Sequence, residues 1–290
     1  MRILAIGDFH GKFPAKLKKL ISRYEYDVII SQGDFRGNKK LVQLYFKHRY
    51  GKEDETPPVW EIIGLDKWMK YDQESEEEGR RMLTALKDLN KPLYVVTGNH
   101  DRAGWRDIGQ KRKEADWPNG YDTKETIKFI QKLGILNLDF AKKKFQGFDL
   151  IGYPRSSYPG LERKRFKYTD EARKRRQDDW DEHKRKLEKL FTRPNKTIFV
   201  PHNVPYKTKL DKVAPSGHEL ARNRPYGSAL VKELIKKYQP RLVIAGHIHE
   251  NPGKIRIGKT VVVNPGAAVD GRAALITLTD KQVKVKFLKA

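Results

Sequence analysis

Short apolar runs recur along the whole chain, and they constrain its fold more than any other feature. Each run is too short for a helix and most contain β-branched residues, so each predicts a buried strand. The runs cover residues 3–6, 28–30, 93–96, 150–151, 198–200, 242–245 and 261–263. Apolar residues at helical spacing lie between several of them, in 13–24, 123–133 and 228–238. Strands that alternate with helices predict an α/β fold with at least partly parallel sheets.

The C-terminal part and two charged stretches depart from this pattern. Residues 254–266 and 272–288 look like strands joined by Gly-Lys and Asp-Lys turns, which predicts an antiparallel portion. Stretches at about 35–89 and 155–196 look inserted, and residues from about 170 to 191 could form a helix with Trp180, Leu187, Leu190 and Phe191 facing inward. Because no Pro/Gly/Ser-rich linker divides the chain, we predict one domain, 1–290, with the insertions forming a lid or cap.

The composition of the chain excludes some kinds of functional site and indicates some kinds of partner. The chain of 290 residues has no cysteine, which excludes disulfides, thiolate zinc sites and cysteine nucleophiles. The net charge of +24 attracts nucleic acid, anionic lipid or phosphorylated small molecules, although a solvated cationic surface without a dedicated partner explains it equally well. No stretch is long and apolar enough to cross a membrane, and the first apolar run is too short for a signal peptide. We therefore expect a cytoplasmic protein without a membrane span.

Five polar clusters stand at or just beyond the ends of predicted strands. They contain Asp8 and His10 in IGDFHG, Asp34 in SQGDF, Asn99, His100 and Asp101 in GNHD, His202 in FVPHNVP, and His247 and His249 in AGHIHE. The carboxyl ends of parallel strands gather along one edge of a sheet, so these clusters could converge in one crevice. Carboxylate, amide and imidazole donors without thiolates suit Mn, Fe, Co, Ni or Zn.

Each cluster taken alone has a simpler explanation. An Asp-x-His sequence is usually a turn, and a histidine at a strand end is usually a hydrogen-bonded structural residue. The clusters indicate a functional site only when taken together, because five of the eight histidines lie in them. The other three, His48, His183 and His218, stand in polar contexts and are interpreted as surface histidines.

In their order and in their residues, the five clusters resemble the motifs of the calcineurin-like metallophosphoesterase family. That pattern runs Asp-x-His, Gly-Asp, Gly-Asn-His-Asp/Glu, a lone His and then Gly-His-x-His, and all five stand here between residues 8 and 249. The VNPGA segment, 263–267, also resembles one that these proteins carry after the last motif. The resemblance implies a four-layer sandwich of two mixed β-sheets flanked by helices, with the charged helical insertions forming a cap.

The resemblance also implies a pair of divalent transition-metal ions in each chain. Manganese is the first choice, with Fe, Ni, Co or Zn as alternatives. One ion would be bound by Asp8, His10, Asp34 and His249, and the other by Asp34, Asn99, His202 and His247. Asp34 would then bridge the two ions. A hydroxide shared between them would be the nucleophile, which removes the need for a serine or cysteine.

His100 would protonate the leaving oxygen rather than bind metal, because an imidazole with an ordinary pKa can act as an acid near neutral pH. Asp101 could orient His100 through its other ring nitrogen, or it could be a cap or an ion-pair partner. Arg36, Asn38 and Arg155 are candidate phosphate contacts.

The sequence departs from the phosphoprotein phosphatases of this family. Those proteins follow Gly-Asp with Asp-Arg-Gly and have Glu after Gly-Asn-His, whereas this chain has GDFRGN and GNHD. The departure favours phosphodiesters over phosphoproteins as substrates.

We therefore expect a hydrolase that acts on phosphate esters, chiefly phosphodiesters. A nuclease is the first alternative, because the basic runs at 162–168 and 171–176 stand among Tyr158, Phe166, Tyr168 and Trp180. The same region could instead be a solvated helix with the i,i+4 pairs Glu171/Arg175 and Glu182/Lys186. A phosphomonoesterase and a non-catalytic scaffold are the remaining alternatives.

Overall fold

The computed structural model of the protein describes residues 1–37, 39–48, 57–101, 125–155, 170–213, 223–279 and 281–290. Within these ranges the strands are β1 (Arg2–Ala5), β2 (Val28–Ser31), β3 (Leu93–Val95), β4 (Leu136–Asn137), β5 (Lys142–Phe145), β6 (Phe148–Tyr153), β7 (Thr197–Pro201), β8 (Leu242–Ile244), β9 (Gly253–Ile257), β10 (Thr260–Asn264), β11 (Arg272–Leu278) and β12 (Val283–Lys289). The helices are α1 (Ala15–Ile21), α2 (Lys39–His48), α3 (Val59–Ile63), α4 (Leu65–Lys87), α5 (Glu125–Lys132), α6 (Asp170–Glu188) and α7 (Ala229–Tyr238).

The strands form two mixed sheets of six strands each. The first has the order β12-β11-β1-β2-β3-β4, and β1 to β4 run parallel. The second has the order β5-β6-β7-β8-β10-β9, and β6, β7, β8 and β10 run parallel. Strands β5, β9, β11 and β12 pair antiparallel with their neighbours. The predicted parallel sheets with an antiparallel C-terminal portion are therefore confirmed.

Alternate residues of the inner strands face two different cores. Ile3 and Ala5 of β1 lie in a buried cluster shared with β7 and β8 of the other sheet, so the two sheets pack face to face. Leu4, between them, points to the opposite side and packs with α1, α4 and α5. The outer face of the second sheet packs against α6 and α7 through Leu187 and Leu230. The result is helix, sheet, sheet and helix, which confirms the predicted four-layer sandwich.

All seven predicted strands and the three predicted helices are present, with boundaries shifted by a few residues. The best-defined helix start is that of α7, where Ser228 accepts a hydrogen bond from the backbone N–H of Val231 at 3.3 Å. The described parts of both insertions are helical. The predicted cap falls in part on residues 49–56 and 156–169, which lie outside the described ranges.

Helix α4 connects the first insertion to the rest of the fold through one buried stripe. The stripe comprises Trp68, Asp72, Ser75, Gly79, Met82, Leu83 and Leu86, at the three- and four-residue spacing of one helix face. Its apolar C-terminal half packs on the first sheet. Its polar half meets the turn that follows β2, where Asp72 binds Arg36 and Ser75 donates a hydrogen bond to the carbonyl of Gly37.

Helix α6 corrects one prediction made from the sequence. Leu187 and Phe191 face inward and Trp180 packs against the same core, as predicted, and the predicted pair Glu182–Lys186 is present at 2.7 Å. His183, however, is only 1% exposed rather than a surface residue. Its Nδ1 lies 3.2 Å from the hydroxyl of Tyr153. The polar neighbours of His183 in the sequence lie on the other faces of the helix, which is why the prediction was wrong.

Replacing His183 with glutamine should remove an acid sensitivity of the fold. Burial, with the charges of Arg155 and Lys186, lowers the pKa of His183 to about 3, whereas the unfolded chain has the ordinary value near 6.5. As pH falls below about 6.5, the unfolded state takes up a proton that the folded state does not. Wild type should therefore lose about 1.4 kcal/mol of unfolding free energy per pH unit relative to the variant. Urea unfolding at pH 7, 6 and 5 measures this difference, and parallel stability curves would contradict the prediction.

Candidate metal centre

The five polar clusters converge at the carboxyl ends of parallel strands from both sheets. Contacts cross from one cluster to another: His10 Nε2 lies 3.1 Å from His249 Nε2, and His202 Nε2 lies 3.0 Å from Asn99 Oδ1. These residues follow β1, β8, β7 and β3, so four separate strand ends meet in one place. The expected convergence of the five clusters is therefore present in the structure.

Two groups of side chains could each hold a cation. Asp8, His10 and His249 form the first, and Asp34, His202 and His247 form the second. Within each group one possible ligand atom from every residue lies within 4.8 Å of the others. Asn99 extends the second group through its contact with His202. Oxygen and imidazole donors in this mixture suit first-row transition metals.

Asp34 stands between the two groups. Its Oδ2 lies 3.8 Å from His10 Nε2 on one side and 3.5 Å from His202 Nε2 on the other. This oxygen is buried and has no hydrogen-bond partner among the described residues. A buried carboxylate oxygen without a partner is costly, and a cation on either side would satisfy it. The residues present therefore fit a pair of metal ions.

The backbone at the site is held in an uncommon conformation. Asp8, His10, Asp34 and His247 all have positive φ, between 45° and 67°. Residues other than glycine adopt this left-handed backbone region rarely. Each such residue can cost the folded state about 1–3 kcal/mol. Gly98 explains part of the tight geometry, because a Cβ at this position would overlap the carboxylate of Asp34.

Backbone groups fix the orientation of several side chains. His202 Nδ1 lies 2.6 Å from the carbonyl of Gln32, which leaves Nε2 directed into the site. The N–H of His247 donates to both oxygens of Asp8, at 3.2 and 3.1 Å. The N–H of His100 donates to Asp34 Oδ1 at 2.9 Å, so the other oxygen of Asp34 is the one that faces His10 and His202.

Burial and mutual charge shift the histidine pKa values in opposite directions. Burial lowers the pKa of His10 to about 4 and that of His247 to about 3, so both rings are neutral near pH 7. Burial also acts on His249, but its contact with the charged Asp8 prevails and raises its pKa to about 9. A cation that binds there has to displace the proton of His249, because only a neutral imidazole is a ligand.

His100 lies beside the first group. Its ring is edge-on to that of His10, with centroids 4.7 Å apart, and it forms a third possible cation group with His10 and Asp34. Burial lowers its pKa, with smaller contributions from neighbouring charges. The geometry is compatible both with the predicted acid role and with metal ligation.

The carboxylate of Asp101 is engaged with the backbone. Oδ2 accepts hydrogen bonds from the N–H groups of Asp34 and Gly98, both at 2.8 Å, and Oδ1 accepts from Phe35 and Arg36. These bonds join the turn after β2 to the turn after β3. The structure thus favours a positioning role for Asp101 over the orientation of His100.

The three predicted phosphate contacts have different positions. Arg36 is 3% exposed, and its Nη2 donates to the backbone carbonyl and to Oδ1 of Asp72, at 2.8 and 3.0 Å. This geometry favours a role for Arg36 in fixing the turn after β2 against α4. Arg155 is 5% exposed and follows β6, whose last residue, Tyr153, bonds to the N–H of His202. Asn38 lies outside the described residues.

Sequence reasoning missed three residues that support the site. Gln32 holds His202 through its backbone, Asp72 holds Arg36, and Asp139 accepts hydrogen bonds from the N–H and the hydroxyl of Thr97 at 2.9 and 2.7 Å. Asp139 follows the short strand β4, so its position at a strand end was a usable signal. Asp72 lies on a charged helix and gave none.

The fold and the site together define an α/β protein in which groups that could bind metal meet at the carboxyl ends of strands from both sheets. The family model described as calcineurin-like phosphoesterase matches residues 1–251. The chain belongs to this family, as the motifs predicted. Members of the family hydrolyse phosphate esters with divalent metals, although some are non-catalytic, and the Asp and His groups described above could bind such ions.

Comparison with individual proteins agrees with this assignment. An uncharacterized protein of Methanocaldococcus jannaschii is 29% identical over 150 residues, which are 51% of this chain and 61% of that relative. One solved structure covers 99% of both chains with a TM-score of 0.66 at 20% identity. A protein of Thermus thermophilus gives a TM-score of 0.55 at 16% identity and covers 98% of this chain and 97% of its own. These similarities support the fold alone.

Among the described helices, none has the length and apolar character that a membrane span needs.

Proposed function

We propose that this chain is a phosphodiesterase with two divalent metal ions, manganese being the first choice. The observation that carries the proposal is the position of Asp34 Oδ2, buried without a partner among the described residues and facing His10 and His202 from two sides. One carboxylate between two imidazole groups is what a shared ligand requires. Bound ions would supply Lewis-acid activation of the phosphate and a water of lowered pKa.

The side chains divide into two ligand sets in this proposal. Asp8, His10 and His249 would hold one ion with Asp34, and Asn99, His202 and His247 would hold the other with Asp34. Asp101 keeps the Asp34 and Gly98 turns in register through its four backbone hydrogen bonds. The absence of cysteine and the close approach of the ligand groups both agree with hydrolysis that needs no side-chain nucleophile.

His100 is proposed as the proton donor to the leaving oxygen. The ring of His100 lies at the edge of the first ligand group, beside His10. Burial is the largest cause of the lowered pKa of His100. Arg155, which is buried just beyond the end of β6, remains a proposed phosphate contact. We also propose that the chain forms one domain, 1–290, and acts in the cytoplasm.

Metal loading followed by a diesterase assay tests the proposal. The chain is stripped with EDTA, reconstituted in parallel with Mn, Fe, Ni, Co or Zn, and its metal content is measured by mass spectrometry. We expect two ions per chain and faster turnover of bis-p-nitrophenyl phosphate than of p-nitrophenyl phosphate. No turnover with two ions bound would refute the proposal, and under one ion per chain would favour a scaffold. Faster monoester hydrolysis would select the phosphomonoesterase alternative.

A further inference from the structure

A groove with three lysines lies between α2 and α4. Its volume is about 320 Å³, and it is lined by Lys40, Gln43, Leu44, Lys47, Lys67 and Tyr71. Residues 40, 43, 44 and 47 follow the three- and four-residue spacing of one face of α2, and residues 67 and 71 are one turn apart on α4. The facing sides of the two helices therefore present amines and one aromatic ring, and no lining residue is acidic.

The groove carries a positive charge that the described residues only partly neutralise. Lys40 lies 3.5 Å from Glu74, in a pair whose members are both largely exposed. Lys47 and Lys67 have no carboxylate within 4 Å among the residues that the structure describes. Amines gathered in a concave site repel one another and favour an anionic ligand.

Tyr71 gives the groove an aromatic surface. Its ring is partly buried, and the amine of Lys40 lies 4.8 Å from the ring centroid. Leu44 adds an apolar side chain to the same lining. An aromatic ring beside amines is the arrangement on which single-stranded nucleic acid stacks its bases while its phosphates meet the charges.

The groove is connected to the candidate metal centre through α4, by two consecutive residues on neighbouring faces of that helix. Tyr71 faces the groove, and the next residue, Asp72, binds Arg36 in the turn that carries Asp34. Further along α4, the carboxylate of Glu78 fills the space beside Gly11 and Gly37. Lys40 follows Asp34 by six residues, so their Cα atoms are at most about 20 Å apart. That is the length of about six stacked nucleotides.

We propose that the groove between α2 and α4 binds the backbone and one base of single-stranded nucleic acid whose phosphodiester lies at the metal centre. The inference rests on the proposed phosphodiesterase function and narrows its substrate class. A concave site with one ring accepts a flexible strand, whereas a duplex keeps its bases stacked inside.

Charge reversal in the groove tests the proposal. Fluorescence anisotropy of a labelled 12-nucleotide single strand is measured with the full, metal-loaded chain, and the strand has phosphorothioate linkages, which resist cleavage. The variant Lys47→Glu/Lys67→Glu should weaken binding at least tenfold at 0.1 M salt, and the slope of log K against log salt should fall by about 1.4. Tyr71→Leu, which keeps an apolar side chain, should weaken binding at least fivefold.

The matched control is Lys254→Glu/Lys284→Glu, which makes the same charge change on the edge strands β9 and β12. It should stay within twofold of wild type. Equal weakening by the two double variants would overturn the proposal, and so would absent binding, tighter binding of duplex, or competition by inorganic phosphate alone. Melting temperatures show whether each variant is folded.

Wild-type turnover of bis-p-nitrophenyl phosphate tests the proposed function separately, since that substrate is too small to reach the groove.

Discussion

Replacing Asp34 with asparagine should abolish phosphodiester hydrolysis and empty at least one metal site. The change removes one negative charge and keeps the size of the side chain. Asparagine also tolerates the positive φ of 55° at this position, so the turn should survive. Because Oδ2 faces both His10 and His202, its loss weakens both ligand groups at once. We expect the rate to fall at least 1,000-fold, roughly 4 kcal/mol of transition-state stabilisation, and the metal content to fall to one ion per chain or fewer.

The control for this experiment is Asp211→Asn. Asp211 is also a buried carboxylate that accepts backbone N–H bonds, but it follows β7 by ten residues and belongs to neither cation group. It should keep two ions and wild-type activity. If Asp34→Asn retained two ions, Asp34 would not be a shared ligand. If it retained activity, the assignment of the centre would be wrong.

Replacing His100 with alanine should slow hydrolysis while leaving both ions bound. A positioned acid contributes about 10²–10⁴-fold, and its contribution grows as the leaving group becomes more basic. The loss should therefore be large for a phenyl ester and smaller for the p-nitrophenyl ester, whose leaving group needs little protonation. Steady-state rates on the two esters, together with metal analysis of the same samples, measure both effects.

His48→Ala removes a histidine of α2 and should leave the rates and the metal content unchanged. A loss of metal in His100→Ala would make His100 a ligand, as its grouping with His10 and Asp34 allows. An equal loss of rate on both esters, with metal retained, would argue against proton donation. The two substrates thus separate the two roles that the geometry leaves possible.

The sequence predicted those parts of the fold that depend on local pattern. Runs such as 28–30 and 198–200 are too short and too β-branched to be anything but strands, and the chain direction then places their polar ends at one edge. The glycine before Asp34, Asn99 and His247 indicated a sharp turn there. Positive φ at Asp34 and His247 agrees with that prediction.

Contacts between distant segments were beyond prediction. Arg36 is a candidate phosphate contact in the sequence, and nothing near it in the chain indicated its contact with Asp72, which lies 36 residues away. His183 looked exposed because the charges around it in the chain mask its single buried face. Such pairs are decided by packing, and one sequence carries no record of which surfaces meet.

The left-handed backbone at Asp8, His10, Asp34 and His247 has a consequence for protein engineering. The backbone at these positions is strained, and glycine would remove the strain because it adopts positive φ without steric clashes. A library selected only for heat resistance would therefore enrich substitutions at residues that we propose as metal ligands. We expect thermostable variants obtained in that way to keep the two-sheet architecture and to lose the proposed metal centre. Any such selection therefore has to include an assay of the proposed activity.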